Sequence, residues 1–332
     1  MNAERIGSQG IGNFDGAPRK EIKAFPRIGL MFPGQSSQEV GMGKNLFENS
    51  PAAKKVFEEA NGTLGFNLAK LCFEGPKNEL NQTHNTQPAT LTTSIAALEA
   101  FKEKFGIAPG IVAAGHSVGE YAALVAAGSL SFPDALRLVR KRGHFMHEAS
   151  IRQKGFMAAV IGLDESVVEE VCQHTDAKIA NVNSRQQIVI SGLNEGFAHA
   201  SDLLTRRGAR IIRLEVEGAF HSRLMESAAE EMIEALHKVR INDPTMPVIG
   251  NTSALPMHTS SEVQKDLQRQ IVGSVNWLAS MLIMIDMGVE AVMEIGHGKV
   301  LTGLARRINK DLKAFSVSNV LDIQSLALNP SV

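Results

Sequence analysis

The sequence predicts an α/β fold: a mostly parallel sheet in a large domain, with a smaller domain set into it. Three observations carry that expectation. Short apolar runs alternate with longer helix-periodic stretches, the pattern of a parallel sheet covered by helices. One such run, residues 111–114, leads straight into Gly115-His116-Ser117-Val118-Gly119 and then into a helical run that stops at Gly128. Residues 155–216 keep a separate β-α-β-β-α-β rhythm, the order of a split, ferredoxin-like unit. The predicted boundaries are a flexible or disordered extension over 1–26, a large α/β domain over 27–153 and 217–312, a ferredoxin-like small domain over 154–216, and a C-terminal tail over 313–332.

The elements follow in order. Ile28–Phe32 is a short buried strand ended by Pro33-Gly34, and helical stretches cover 44–61 and 86–105. After the Gly-x-Ser-x-Gly turn, 131–148 reads as a helix in which Ser131 caps and Pro133 suits the first turn. In the small unit, strands at 155–163, 178–183, 187–191 and 209–216 enclose helices at 164–174 and 194–207. The large domain resumes with a helix at 222–239, a strand at 248–250, a helical region at 261–287 and a strand at 290–295.

Composition narrows the function classes. The chain of 332 residues is 44% hydrophobic and 21% charged, values of an ordinary globular protein with a sizeable core. A net charge of −1 gives no bulk attraction to nucleic acid or to an anionic membrane, so a charged partner must meet a local patch. Cys72 and Cys172 are the only cysteines, which excludes a disulfide framework and a Cys-rich zinc site and points to reduced thiols in the cytoplasm. No apolar run reaches the length of a membrane span. Residues 1–26 lack the apolar core of a secretory signal and read as an extension or an expression remnant.

The chemistry starts at Ser117. Strand, tight glycine turn and helix together make a nucleophile elbow, in which the serine stands at a helix N-terminus that favours developing negative charge. The plainer alternative is a serine that only caps the helix. A serine hydroxyl needs a base, and histidine is the usual one. Of ten histidines, His221 in Gly218-Ala219-Phe220-His221-Ser222 has the favoured context, a loop between a strand and a helix. His116 is expected to point away on so tight a turn. His144 and His147 share a helical face but have no evident third metal ligand. Gly296-His297-Gly298-Lys299 has the wrong spacing for a phosphate loop, so nucleotide binding is rejected. Arg142 lies on one helical stripe with Val139 and Met146. An arginine among apolar neighbours either pairs with a carboxylate of the chain or grips a substrate carboxylate as a fork.

These residues together resemble the malonyl-CoA:acyl-carrier-protein transacylase family over about residues 28–310. The resemblance rests on Phe32-Pro33-Gly34-Gln35, Thr86-Gln87-Pro88-Ala89, the Ser117 pentapeptide with Glu120-Tyr121, Arg142-Gly143, Asn181-Val182-Asn183-Ser184, the His221 pentapeptide and Glu294-Ile295-Gly296. It implies an α/β-hydrolase-like large domain carrying the ferredoxin-like one. It implies Ser117 as nucleophile, His221 as base oriented by the backbone carbonyl of Gln270, and the N–H groups of Gln35 and Val118 as oxyanion hole. It also implies Arg142 as the holder of the malonyl carboxylate, with Gln87 and Asn183 lining the site. Val118 and Ala219-Phe220 resemble the malonyl rather than the methylmalonyl pattern of related polyketide acyltransferases, with Phe220 filling the space of an α-methyl.

The implied reaction moves malonyl from coenzyme A to the phosphopantetheine thiol of an acyl carrier protein, supplying fatty-acid synthesis, with no metal and no cofactor. The expected unit is a monomer without nucleic-acid or membrane partners. A polyketide assembly line served in trans, or an acyl hydrolase using the same pair, are the alternatives. For an acidic carrier, Arg206, Arg207 and Arg210, or Arg306, Arg307 and Lys310, are the candidate docking patches. The chain departs from the family at Ser36 (a usual glycine), Arg185-Gln186 (Pro-Gly), Arg223 (proline) and His297 (proline).

Overall fold

The computed structural model describes residues 27–106 and 110–328. Its strands, in chain order, are β1 (Ile28–Phe32), β2 (Gly110–Gly115), β3 (Gly155–Ile161), β4 (Ala177–Ser184), β5 (Gln187–Leu193), β6 (Arg210–Arg213), β7 (Val248–Ile249), β8 (Pro256–Met257), β9 (Ala291–Ile295) and β10 (Lys313–Val317). They form two sheets. The first has the order β10-β9-β1-β2-β7-β8 and is parallel throughout except for the last pair. The second has the order β4-β5-β3-β6 and is wholly antiparallel.

β1 is buried along its whole length because apolar layers cover both faces of the parallel sheet. One layer is built on helices Pro51–Leu64, Thr83–Phe105 and Phe132–Arg152. The other includes Trp277, Met281 and Met284 of helix Trp277–Asp286. The small sheet packs one face on helices Glu165–Gln173 and Phe197–Arg206 through Val168, Val171, Ala200 and Leu204. No helix among the described residues is long and apolar enough to cross a membrane.

The structure differs from the sequence reading in several places. Residues 313–328 are not a loose tail. β10 pairs in parallel with β9, Val317 is fully buried, and helix Val320–Leu328 follows. The weak signal has a physical cause: Ala314 packs into one apolar layer and Val317 into the other, so the strand shows neither a continuous apolar run nor a clean alternation. The stretch 44–61 is broken at Ser50, whose extended backbone ends helix Lys44–Asn49 and whose hydroxyl caps Pro51–Leu64 through the Ala53 amide at 3.1 Å. The region 261–287 is two helices, Ser260–Gln270 and Trp277–Asp286. Between them Val275 exchanges backbone hydrogen bonds with Ala180 and Val182 of β4, tying the large sheet's helices to the small sheet. The 1–26 extension and residues 329–332 lie outside the described residues.

The elbow is packed backbone against backbone. A Cβ on Gly115 would meet the Gly119 backbone, and one on Gly119 would meet the carbonyls of Phe32 and Pro33. Because those neighbours are backbone, they cannot swing aside. Gly119→Ala should therefore cost about 3 kcal/mol or more, read as a fall in urea midpoint by circular dichroism.

Candidate functional site

The site lies at the carboxyl ends of the parallel strands, where the loops after β1 and β2 meet, the usual place for a ligand in an open α/β sheet. Ser117 follows β2 directly and holds φ at +51°, a left-handed conformation. Asn251, just past β7, locks that turn. Its Oδ1 accepts from the Ser117 amide at 2.7 Å and its Nδ2 donates to the Gly115 carbonyl at 2.7 Å. Helix Gly119–Ala126 begins two residues beyond the serine and turns its N-terminus toward the site.

His221 reaches the same point from the loop after the small sheet. Its Nε2 lies 2.8 Å from Ser117 Oγ. Its Nδ1 lies 2.9 Å from the Gln270 carbonyl and 3.0 Å from the Gly273 carbonyl. Two carbonyls can only accept, so Nδ1 carries the hydrogen and Nε2 presents its lone pair to the serine hydroxyl. Burial, followed by the positive charge of Arg142, pushes the imidazole pKa down to about 3. The ring is therefore neutral, and able to take a proton, across the physiological range.

Arg142 comes from helix Phe132–Arg152 and is 1% exposed. Its Nη2 donates to Ser117 Oγ at 3.1 Å and to Gln270 Oε1 at 3.0 Å, while its Nε has no partner. Arg142 forms no ion pair among the described residues, so the structural salt bridge that the sequence left open is not what holds it. A buried guanidinium with an idle donor has the chemistry to receive an anion.

Above these groups opens a cavity of about 200 Å³. Ser117, His221, His116, Gln35, Ser36, Asn181, Asn183 and Phe220 line it, with an apolar wall that includes Met146, Met157, Val189 and Leu301. The backbone N–H groups of Gln35, which lines the cavity, and of Val118 have no hydrogen-bond acceptor among the described residues. Ser36 keeps φ at +78° although it is not glycine, and its amide donates to Gln38 Oε1 at 2.8 Å, which holds the loop.

Not every expected residue lines the cavity: Arg142, Val118, Gln270 and Gln87 are buried and not part of its wall. Gln87 is fully buried behind it, with Nε2 3.5 Å from Met146 Sδ. His116 turns away from the serine hydroxyl as expected, yet it lines the same cavity and meets Asn183 Oδ1 at 2.9 Å. His144 and His147 separate, to Glu148 and Glu217 respectively, and no group that could hold a metal exists among the described residues. His297 faces Glu39, at 3.4 Å. Arg206 and Arg207 are already paired, to Asp202 and Glu170. Arg307 instead donates to Gln187, a cavity-lining residue, whereas Arg306 turns to the Ala314 carbonyl of β10 at 3.1 Å. Of the other departures, Arg223 pairs with Asp176 at 3.7 Å.

Sequence reasoning missed Asn251, the Gly273 carbonyl, and the buried pair Glu120 and Gln270 in its side-chain role. Asn251 had one available signal: it directly follows a short apolar strand, where a parallel sheet delivers site residues.

An elbow serine, an oriented neutral imidazole and idle backbone amides define the class: a serine–histidine acyl-transfer centre on an α/β sheet. The comparisons with known proteins agree. The acyl transferase domain family matches residues 30–328. The malonyl CoA-acyl carrier protein transacylase of Bacillus subtilis (strain 168) is 48% identical over 299 residues, covering 88% of this chain and 94% of that protein. The acyl-carrier-protein S-malonyltransferase structure from Bartonella henselae superposes with a TM-score of 0.87 at 41% identity, covering 92% of this chain and 100% of that one. A malonyl-transacylase solved in complex with its type II PKS acyl-carrier protein has a TM-score of 0.87 at 36% identity, covering 91% and 99%. The chain belongs to the acyl transferase family, and within it to the malonyl-CoA:acyl-carrier-protein transacylases.

Two outcomes follow from this geometry. Asn251→Ala leaves a buried amide and carbonyl unpaired and should cost about 2 kcal/mol of stability; it should also slow serine acylation about tenfold or more, measured by quenched-flow mass spectrometry. The depressed His221 pKa gives a signed pH dependence. The unfolded chain binds a proton at about 6.5 that the folded chain refuses until about 3, so His221's contribution to stability is present above 6.5 and is lost as pH falls through that window. Acid titration of the thermal midpoint should show that loss, while serine acylation should not decline between about pH 7.5 and 5.5, where an ordinary imidazole would be protonated.

Proposed function

We propose that this protein transfers a malonyl group from coenzyme A to the phosphopantetheine thiol of an acyl carrier protein, through a malonyl ester on Ser117, to supply fatty-acid synthesis. One observation carries the reading: His221 Nε2 at 2.8 Å and Arg142 Nη2 at 3.1 Å converge on the same serine oxygen. A base and a carboxylate receptor at one nucleophile suit an acyl group that bears its own carboxylate. The names of the relatives, which specify malonyl CoA and acyl carrier protein, support it.

The steps balance without metal or redox chemistry. His221 Nε2 takes the Ser117 proton as Oγ attacks the thioester carbonyl. The resulting oxyanion is held by the Gln35 and Val118 N–H groups, an effect of about 3–4 kcal/mol per donor. Collapse expels the coenzyme A thiolate, which takes the proton from His221. The carrier's thiol then gives its proton to His221 and attacks the serine ester; Ser117 leaves and recovers the proton. Arg142 holds the malonyl carboxylate, Asn183 lines the pocket, Gln87 backs it through Met146, and Phe220 crowds an α-methyl, a preference of about 1–3 kcal/mol.

All the groups assigned come from one chain, which supports a monomer as the catalytic unit. The free, buried thiols of Cys72 and Cys172 suit the cytoplasm. Arg307 on helix Val300–Ile308, which contacts the cavity-lining Gln187, favours the Arg306, Arg307 and Lys310 cluster over the already paired Arg206 and Arg207 as the docking face for an acidic carrier.

Intact-mass spectrometry after incubation with malonyl-CoA tests the reading. The wild type should gain one malonyl group and pass it to a holo carrier, whereas Ser117→Ala should gain none. Arg142→Ala should lose its preference for malonyl over acetyl by about a hundredfold. Free malonate with no malonyl-carrier would instead make the protein a hydrolase.

A further inference from the structure

Beneath the nucleophile lies a buried cluster that the transfer mechanism does not use. Glu120 and Gln270 are both fully buried. The Gln270 amide nitrogen donates to the Ser117 carbonyl at 3.1 Å and to Glu120 Oε2 at 2.5 Å. Its amide oxygen accepts from Arg142 Nη2 at 3.0 Å. One side chain therefore touches the nucleophile's backbone, a buried acid and the anion receptor, while its own carbonyl holds His221.

A primary amide can sit either way round, and its neighbours decide which. With two acceptors on the nitrogen side, both amide hydrogens are used and the oxygen is left for Arg142. In the reversed orientation the amide hydrogens would face guanidinium hydrogens. Nη2 has two hydrogens, one on Gln270 and one on Ser117 Oγ, so the guanidinium plane is set by these contacts and Nε is left open.

The state of Glu120 matters as much as its place. Burial, followed by the charge of Asp266, holds its carboxyl well above the usual carboxylate range. Asp266 is engaged by the hydroxyls of Thr252 and Ser253 and by the Ser253 amide. An ionised Glu120 would draw the Arg142 charge down into the protein. A neutral one accepts from Gln270 and leaves that charge for the cleft.

We propose that Glu120 is a positioning residue for malonyl selectivity: through the Gln270 amide it sets the face that Arg142 presents to the substrate carboxylate. This rests on the transferase reading above. It gives Glu120 no contact with substrate, so its effect must appear in the discrimination between acyl groups.

The experiment compares malonyl-CoA with acetyl-CoA as acyl donors to Ser117 in wild type, Glu120→Gln and Glu120→Leu. Glu120→Gln keeps a neutral acceptor and should hold the malonyl-to-acetyl ratio of kcat/KM within about threefold of wild type. Glu120→Leu frees the amide and should lower that ratio by about tenfold or more, chiefly through KM for malonyl-CoA. An unchanged ratio in Glu120→Leu overturns the proposal, and so does a Glu120→Gln variant as unselective as Glu120→Leu. If Glu120→Leu does not fold, difference infrared spectroscopy of wild type against Glu120→Gln at neutral pH decides. A protonated-carboxyl band is expected, and its absence overturns the proposal. A wild type that gains no malonyl at all sinks the transferase reading instead, so the two failures are distinguishable.

Discussion

The molecule is organised around one close approach. Gly115, Gly119 and the carbonyls after β1 meet without room for a single extra carbon, and that contact turns the chain sharply at Ser117. A non-glycine residue in the left-handed region persists only where its surroundings over-determine it. Here the Asn251 side chain fills that need by satisfying the serine amide and the preceding carbonyl together. The hydroxyl is thereby held on top of the sheet, at the start of a helix, where other elements can reach it.

What reaches it is a set of charges held in unusual states by burial. His221 is oriented by two carbonyls rather than by a carboxylate, so no negative charge raises its proton affinity, and the Arg142 guanidinium beside it lowers that affinity further. Arg142 in turn lacks a carboxylate partner of its own. The buried site carries net positive character around a nucleophile, an arrangement that is costly when empty and favourable when an anion arrives. The proposed selectivity for an acyl group with its own carboxylate rests on this incomplete charge compensation in the folded chain.

The two sheets are joined where this matters. The segment between helices Ser260–Gln270 and Trp277–Asp286 bonds to β4 of the small sheet through Val275 and offers the Gly273 carbonyl to His221. The loop bearing His221 leaves the small sheet from the opposite side. The segment that connects the two sheets is therefore also one that orients His221.

Much of this was legible in the chain. Ser117 was marked by glycines whose spacing has a steric reason. Arg142 was marked by its place on an apolar helical stripe, and the two sheet types by their different rhythms. His221 was distinguishable from the other histidines only by loop context. The edge strand β10 was missed because its two buried residues face opposite layers and leave no alternation, and the split near residue 271 because a short extended segment between helices has no periodicity of its own. Glu120 and the Gln270 side chain left no local mark, and Asn251 only its place after a short apolar strand. Their importance comes from whom they touch, and contacts across more than a hundred residues are set by packing, not by neighbouring letters. The sequence by itself determined which groups could do chemistry, because residue type and local backbone need are written residue by residue. Tertiary structure alone decided their protonation and orientation, because both depend on burial and on partners that only the closed fold brings within hydrogen-bonding distance.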